Sequence, residues 1–200
     1  KAANYTLTGH SPWQIRNACN TLNAGGVIAY PTETIYGLGC DPLNRDAVEQ
    51  VLMIKQRCWR KGLILVAATF KQLEPYIKPL TTEQMTIISQ TWPGPTTWIF
   101  NAQQRVPRWL TGKHKTIALR ISPHPLVQAL CQRFGGAIVS TSANRSKQSP
   151  KRTALLVRRD FGGEVNTILR GHVSSHRKPS EIRNANSGKI IRSNKEALDK

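Results

Sequence analysis

The chain has 200 residues, with 29 Lys and Arg against 11 Asp and Glu, a formal net charge of +18 at neutral pH. A chain of this length buries roughly 70% of the surface its unfolded form exposes, so one hydrophobic core is expected without metal or disulfide staples; the 39% hydrophobic and 20% charged content excludes disordered and fibrous classes. No apolar run approaches the ~18 residues of a membrane span, and KAANYTLTGHSPW lacks the apolar stretch of a secretory signal, so a cytoplasmic protein with no membrane contact is expected.

In chain order, Ser11 and Pro12 signal a helix start, Ile15, Ala18, Cys19 and Leu22 recur at helical spacing, and Gly25-Gly26 ends the helix. VIAYP reads as a buried strand. Asn44 caps a second helix with Ala47, Val48, Val51, Leu52 and Ile54 on its apolar face, which delivers Lys55 and Arg57 at its C-terminal end. LILVAA is the next strand, followed by short helices from Thr69 to Leu73 and from Thr81 or Thr82 towards Gln90. TTWIFN and TIALRIS are strands, HPLVQALCQRF a helix, AIVST a strand, TALLVRRDF a last helix, and TILR and KIIRS two short final strands. Continuous apolar strands alternating with helices predict an α/β fold: a single domain over residues 1–200 with a twisted mixed sheet flanked by helices. NRSKQSPKR and GHVSSHRKPSEIRNANSG read as long loops, and SNKEALDK as a dispensable tail.

Cys19, Cys40, Cys58 and Cys131 form no CxxC pair and are expected to be reduced thiols, with Cys58 a bystander among cations. His172 and His176 lie in a Ser- and Gly-rich segment that favours a loop over a metal site. A Walker-type phosphate loop, GxGxxG, GxSxG and HExxH are all absent. The charge excess attracts polyanions, RNA included, without saying which is bound. Three polar clusters punctuate strand ends: PTETIYG with Thr32, Glu33, Thr34 and Tyr36; KQRCWRK, which crowds Lys55, Arg57, Arg60 and Lys61 before a strand; and VSTSANRS. In α/β sheets ligands sit outside strand ends, so the three can converge on one pocket, although each alone also suits a cap, a solvated patch or a turn.

In order, VIAYPTETIYGLGCDP, LMIKQR followed by KGLILVAA, WPGPTTWIF, VPRWLTG, ALRISPHPLVQALC, VSTSAN and KPSEIRNANSGKIIR resemble the YrdC-like family of threonylcarbamoyl-AMP synthases in its short bacterial form, over about residues 10 to 193. The resemblance implies a large concave basic cavity and an ATP-dependent reaction. L-threonine and bicarbonate give a carbamate that attacks the α-phosphorus of ATP and expels pyrophosphate. The adenylate then passes to partner proteins that modify the adenosine beside the anticodon of tRNA.

Adenylyl transfer needs a triphosphate held in line and its charge neutralised. Lys55 and Arg57 are therefore the expected catalytic pair, with Lys61 completing the clamp. By resemblance, Thr116, Ser142, Asn144 and Arg192 complete the ATP side. Arg120 would grip the threonine carboxylate, with Thr34, Ser140, Ser180 and the neighbouring Thr32 around it. Mg²⁺ is expected with ATP, but no carboxylate cluster marks a dedicated metal site. Cys58 and Gly62 stand where relatives often carry proline. Lys147 stands where they often carry glycine, so a need for positive φ there would force a different loop. A binding module that holds RNA in the same cavity without chemistry, and a domain handling another carbamoyl adenylate, are the competing readings.

Overall fold

The computed structural model describes residues 11–173 and 180–193. Helix α1, Pro12–Asn23, begins after an extended Ser11 and buries Ile15, Ala18, Cys19 and Leu22. Strands β1, Ile28–Pro31, and β2, Tyr36–Gly39, form an antiparallel hairpin around the PTET turn. Asn44 accepts a hydrogen bond from the Ala47 N–H at 3.1 Å and caps helix α2, Arg45–Lys55. Gln56 adopts the left-handed conformation at φ 50° and stops the helix, so Arg57 lies beyond its end rather than on it. The expected helix after Thr69 consists of two short 3-10 turns, Phe70–Gln72 and Glu74–Tyr76.

The remaining elements are β3, Ile64–Ala67; α3, Thr82–Ser89; β4, Thr96–Asn101; α4, Arg108–Thr111; β5, Thr116–Ile121; α5, Pro125–Phe134; β6, Ile138–Ser142; α6, Ala154–Phe161; β7, Thr167–Ile168; β8, Glu181–Asn184; and β9, Ile190–Arg192. Together the strands form a nine-stranded sheet in the order β7-β1-β2-β6-β3-β5-β4-β8-β9. It is mixed: β1/β7, β3/β5 and β4/β8 are parallel and the other neighbours antiparallel.

Strand side chains alternate between the two faces. Ile28, Tyr30, Val66 and Ile138 pack on one side with Leu22 of α1 and Leu126 and Leu130 of α5. Ala29, Leu65, Val139, Trp98, Phe100 and Leu119 pack on the other with Val48 and Val51 of α2 and Phe161 of α6. Each fully buried aliphatic or aromatic side chain contributes about 1.5–3 kcal/mol by leaving water. Helices α1 and α5 thus cover only part of the first face. Beyond them, towards β4, β5 and β8, that face supplies the wall of a cavity.

Three elements depart from expectation. YGLG pairs as β2 despite its glycines, and RWLT forms the one-turn α4. EIRN, inside the segment read as a long loop, is strand β8 and pairs in parallel with β4. Lys147 takes φ 64° itself, so the loop after β6 keeps positive φ without glycine. His176, the N-terminal residues 1–10 and the tail 194–200 lie outside the described residues. Among the described residues no helix is long and apolar enough to cross a membrane.

Candidate active site

A cavity of about 500 Å³ opens on the first sheet face. On three strands its wall follows the period of two: Ile64 and Val66 from β3, Thr97 and Ile99 from β4, and Thr116, Ala118 and Arg120 from β5; the end of β6 adds Ser140, Thr141 and Ser142 in a row. The intervening residues Leu65, Trp98, Phe100, Ile117, Leu119 and Val139 point into the other core. Thr32, Thr34, Arg57, Lys61, Ser180 and Arg192 close the cavity from the loops and edge strands. Ten of the residues expected at the site, Thr32, Thr34, Arg57, Lys61, Thr116, Arg120, Ser140, Ser142, Ser180 and Arg192, therefore share one wall. Lys55 and Asn144 stand behind it.

Lys55 is 5% exposed. Its ammonium donates to the Ser142 carbonyl, to the Asn144 carbonyl at 2.8 Å and to Asn144 Oδ1 at 3.3 Å. The loop answers in kind: Ser146 N–H donates to the Lys55 carbonyl at 2.9 Å, and Arg145 Nη1 donates to the Ile54 carbonyl at 2.9 Å. These are carbonyls that a helix end leaves without intrahelical partners. Arg145 also pairs with Glu164 and lies over the Phe161 ring at 5.3 Å. The end of α2 and the STSANRS loop are clasped in both directions. Burial, and then the neighbouring Arg57 charge, push the Lys55 pKa down to about 8.

Arg57 donates from Nη2 to the Gly62 carbonyl at 3.0 Å, and Arg192 from Nη2 to the Ser180 carbonyl at 2.8 Å. Burial lowers the pKa of both. The Nε atoms of Arg57, Arg120 and Arg192 are buried and have no hydrogen-bond partner. A buried donor left unmet costs about 1–3 kcal/mol, more when charged. All three arginines line the cavity, so an anion there would meet their charge where burial has already stripped part of its hydration.

Arg120 forms an ion pair with Glu33, their side chains 15% and 18% exposed. Ser122 Oγ donates to the other Glu33 oxygen at 2.6 Å. Burial alone would raise the Glu33 pKa, but the Arg120 charge and the bonds from Ser122 and Arg120 outweigh it and the net shift is downward. Thr32 Oγ1 donates to the Ile35 carbonyl at 2.7 Å and braces the turn. Tyr30, fully buried, donates to Ser140 Oγ at 2.7 Å, and Thr97 Oγ1 to Ser180 Oγ at 3.2 Å. Glu33, Ser122, Tyr30 and Arg145 were not among the expected site residues; only Glu33, in the PTET segment, and Arg145, in VSTSANRS, lay within the polar clusters of the sequence.

Among the described residues no group of three or more His, Cys, Asp or Glu side chains gathers as a metal site. Cys58 is an exposed thiol, while Cys19, Cys40 and Cys131 are buried.

The family model described as telomere recombination, Sua5/YciO/YrdC, matches residues 20–194. A threonylcarbamoyl-AMP synthase of Coxiella burnetii is 47% identical over 178 residues, which cover 89% of this chain and 96% of the relative. P. abyssi Sua5, solved in complex with L-threonine, superposes with a TM-score of 0.83 at 31% identity over 89% of this chain and 52% of that one. E. coli YciO gives a TM-score of 0.79 at 26% identity, over 90% of this chain and 88% of that one. With 47% identity across nearly its full length and the same layered sheet, the chain belongs to the Sua5/YciO/YrdC family.

Proposed function

We infer that this chain makes L-threonylcarbamoyl-AMP from L-threonine, bicarbonate and ATP, with release of pyrophosphate, for threonylcarbamoyladenosine modification of tRNA. The observation that carries the reading is one cavity in which Arg57, Arg120 and Arg192, partly buried cations, meet a wall of Thr and Ser hydroxyls. Such a site suits a polyanion beside a small polar amino acid. Arg57, Lys61 and Arg192 hold the triphosphate, each charge-assisted bond contributing on the order of 1.5–3 kcal/mol. Thr116 and Ser142 lie on the same wall as hydroxyl donors.

Lys55 and Asn144 serve this side from behind it, fixing Ser142 and adding charge through a thin layer of protein. Arg120 takes the threonine carboxylate, and Thr34, Ser140 and Ser180 surround the amino acid. Support for threonine at this end comes from the L-threonine complex of P. abyssi Sua5. The threonine ammonium gives up a proton, and the free amine then condenses with bicarbonate, with loss of water, to the carbamate. A carbamate oxygen then attacks the α-phosphorus as its bond to the bridging oxygen of pyrophosphate breaks. The protein supplies alignment and charge neutralisation, the effects that matter most in transfers of this kind.

Mg²⁺, where it accompanies the nucleotide, would neutralise phosphate charge. The described residues offer no dedicated cluster for it, so phosphate oxygens and water would supply its ligands. The product is handed to proteins that act on the adenosine beside the anticodon. The test is pyrophosphate release from purified protein with ATP, threonine, bicarbonate and Mg²⁺, each omitted in turn. Release that needs threonine and bicarbonate together is expected. Release without threonine, or none with every component present, overturns the reading.

A further inference from the structure

The proposed mechanism leaves Glu33 without a task. Its neighbours Thr32 and Thr34 line the cavity, whereas Glu33 turns its carboxylate onto Arg120 and Ser122. One oxygen meets Arg120 Nη2 and the other receives Ser122 Oγ–H at 2.6 Å. Ser122 is 1% exposed and fixed in turn: its Oγ accepts the His124 N–H at 3.1 Å at the entry to α5, and its carbonyl accepts Gln128 Nε2 at 3.2 Å. The carboxylate is thus held on both oxygens by the protein. It is not poised to swing onto a ligand.

The guanidinium it holds has an Nε buried without a partner. A guanidinium presents more than one edge to carboxylates, and its directional grip depends on a fixed plane. A half-buried arginine in a wall that already carries Arg57, Lys61 and Arg192 would, without a counter-charge, be repelled towards water. We propose that Glu33 is a positioning residue for the amino-acid substrate: through Ser122 it is anchored to the start of α5, and it locks the Arg120 plane so that the remaining donors meet the substrate α-carboxylate. This rests on the assignment of the amino acid to the Arg120 end of the cavity.

The sign of one measurement separates this from the opposite idea. If Glu33 merely occupied Arg120 until substrate arrived, neutralising it would tighten threonine binding. If it positions Arg120, neutralising it weakens binding although a negative charge has been removed. The experiment measures threonine and threoninamide binding, and separately ATP binding, by calorimetry and steady-state kinetics on wild type, Glu33→Gln, Glu33→Asp and Ser122→Ala. The amide lacks the carboxylate.

Expected for Glu33→Gln is a threonine KM raised about 10-fold with ATP affinity within about 2-fold, and a preference for threonine over threoninamide reduced by a similar factor. Glu33→Asp keeps the charge and should recover part of that preference. Ser122→Ala, which loosens the anchor while retaining both charges, should raise the threonine KM about 3-fold and serves where Glu33→Gln does not fold. Unchanged or tighter threonine binding in folded Glu33→Gln or Ser122→Ala, or equal loss for ATP and threonine, overturns the proposal. Wild-type protein that binds ATP but does not prefer threonine to threoninamide overturns the placement of the amino acid itself.

Discussion

Arg57 and Lys55 divide labour in a way their shared motif conceals. Arg57 reaches the cavity wall, while Lys55 is buried against the Ser142 and Asn144 carbonyls. Arg57→Ala should leave the melting temperature nearly unchanged and cut pyrophosphate formation at least about 100-fold, as removal of a transition-state donor commonly does. Lys55→Met should cost stability as well, about 1–3 kcal/mol, because it removes the ammonium that ties the Ser142 and Asn144 carbonyls to the end of α2. Thermal melts and turnover on the two variants check the contrast. The lowered pKa of Lys55 adds a pH signature. Its folded value of about 8 lies below the ordinary 10.5, so between these values the unfolded chain holds a proton the folded one lacks. The stability contribution is therefore present above the ordinary value and lost as pH falls through about 8. A nearby triphosphate favours the ammonium and works the other way. ATP binding near pH 8.5 should take up a proton and weaken as pH rises through about 8, while binding near pH 6.5 should take up none. Calorimetry in two buffers of different ionisation enthalpy measures the uptake, and Lys55→Met should abolish it.

At the scale of elements, the site depends on joints between segments distant in sequence. The 3-10 turn Trp59–Lys61 meets the end of α4, where Lys113 N–H donates to the Arg60 carbonyl at 3.1 Å and Gly112 holds φ +67°. A Cβ on Gly112 would stand 2.4 Å from the Arg60 carbonyl oxygen and 2.6 Å from the Gly62 nitrogen, both backbone atoms. Gly112→Ala should cost more than about 1 kcal/mol, a fall of roughly 2–4 °C in Tm per kcal/mol, and shift ATP affinity more than threonine affinity, since this joint carries Lys61. A thermal melt with both binding constants tests it. Such joints explain what the sequence conveyed and what it did not. Helices α1, α2 and α5 were legible because their apolar spacing and stop signals agree, and the strands β3 to β6 because they are apolar runs. YGLG was not, since glycine carries little strand preference; it pairs because Gly39 permits an approach in which a Cβ would lie 2.7 Å from the Val139 carbonyl oxygen. EIRN was hidden by its charges; it pairs between β4 and β9, where Glu181 and Arg183 bond each other and Arg183 lies over the Trp98 ring. Cations and hydroxyls at strand ends marked the cavity, but the Glu33–Arg120 and Tyr30–Ser140 pairings bridge 87 and 110 residues and exist only once the sheet is assembled.

For the whole molecule, the excess of charge is not spread evenly around the cavity. At one lip, Arg60 and Lys61 from the 3-10 turn meet Arg108 of α4 and Lys113, His114 and Lys115 of the turn after it. Among the described residues none of the five Lys and Arg side chains in this group forms an ion pair. Lys61 and His114 continue the lip into the cavity wall. Unpaired like charges held together disfavour the compact state slightly, and what they return is a potential that reaches into solvent and draws in anions. Screening shortens that reach from about 10 Å at 0.1 M salt to about 3 Å at 1 M. Nucleotide association should therefore slow about 10-fold between roughly 0.05 and 0.5 M salt, while dissociation, governed by the buried arginine contacts, changes much less. Replacing Lys113 and Lys115 together by Gln should flatten the salt dependence of the on-rate and leave turnover at saturating ATP unchanged, because neither side chain lines the cavity. Stopped-flow binding of a fluorescent ATP analogue at several salt concentrations measures both rates. An equally steep salt dependence in the double variant would locate the attraction in the cavity arginines alone, and the lip would then have no part in bringing the nucleotide in.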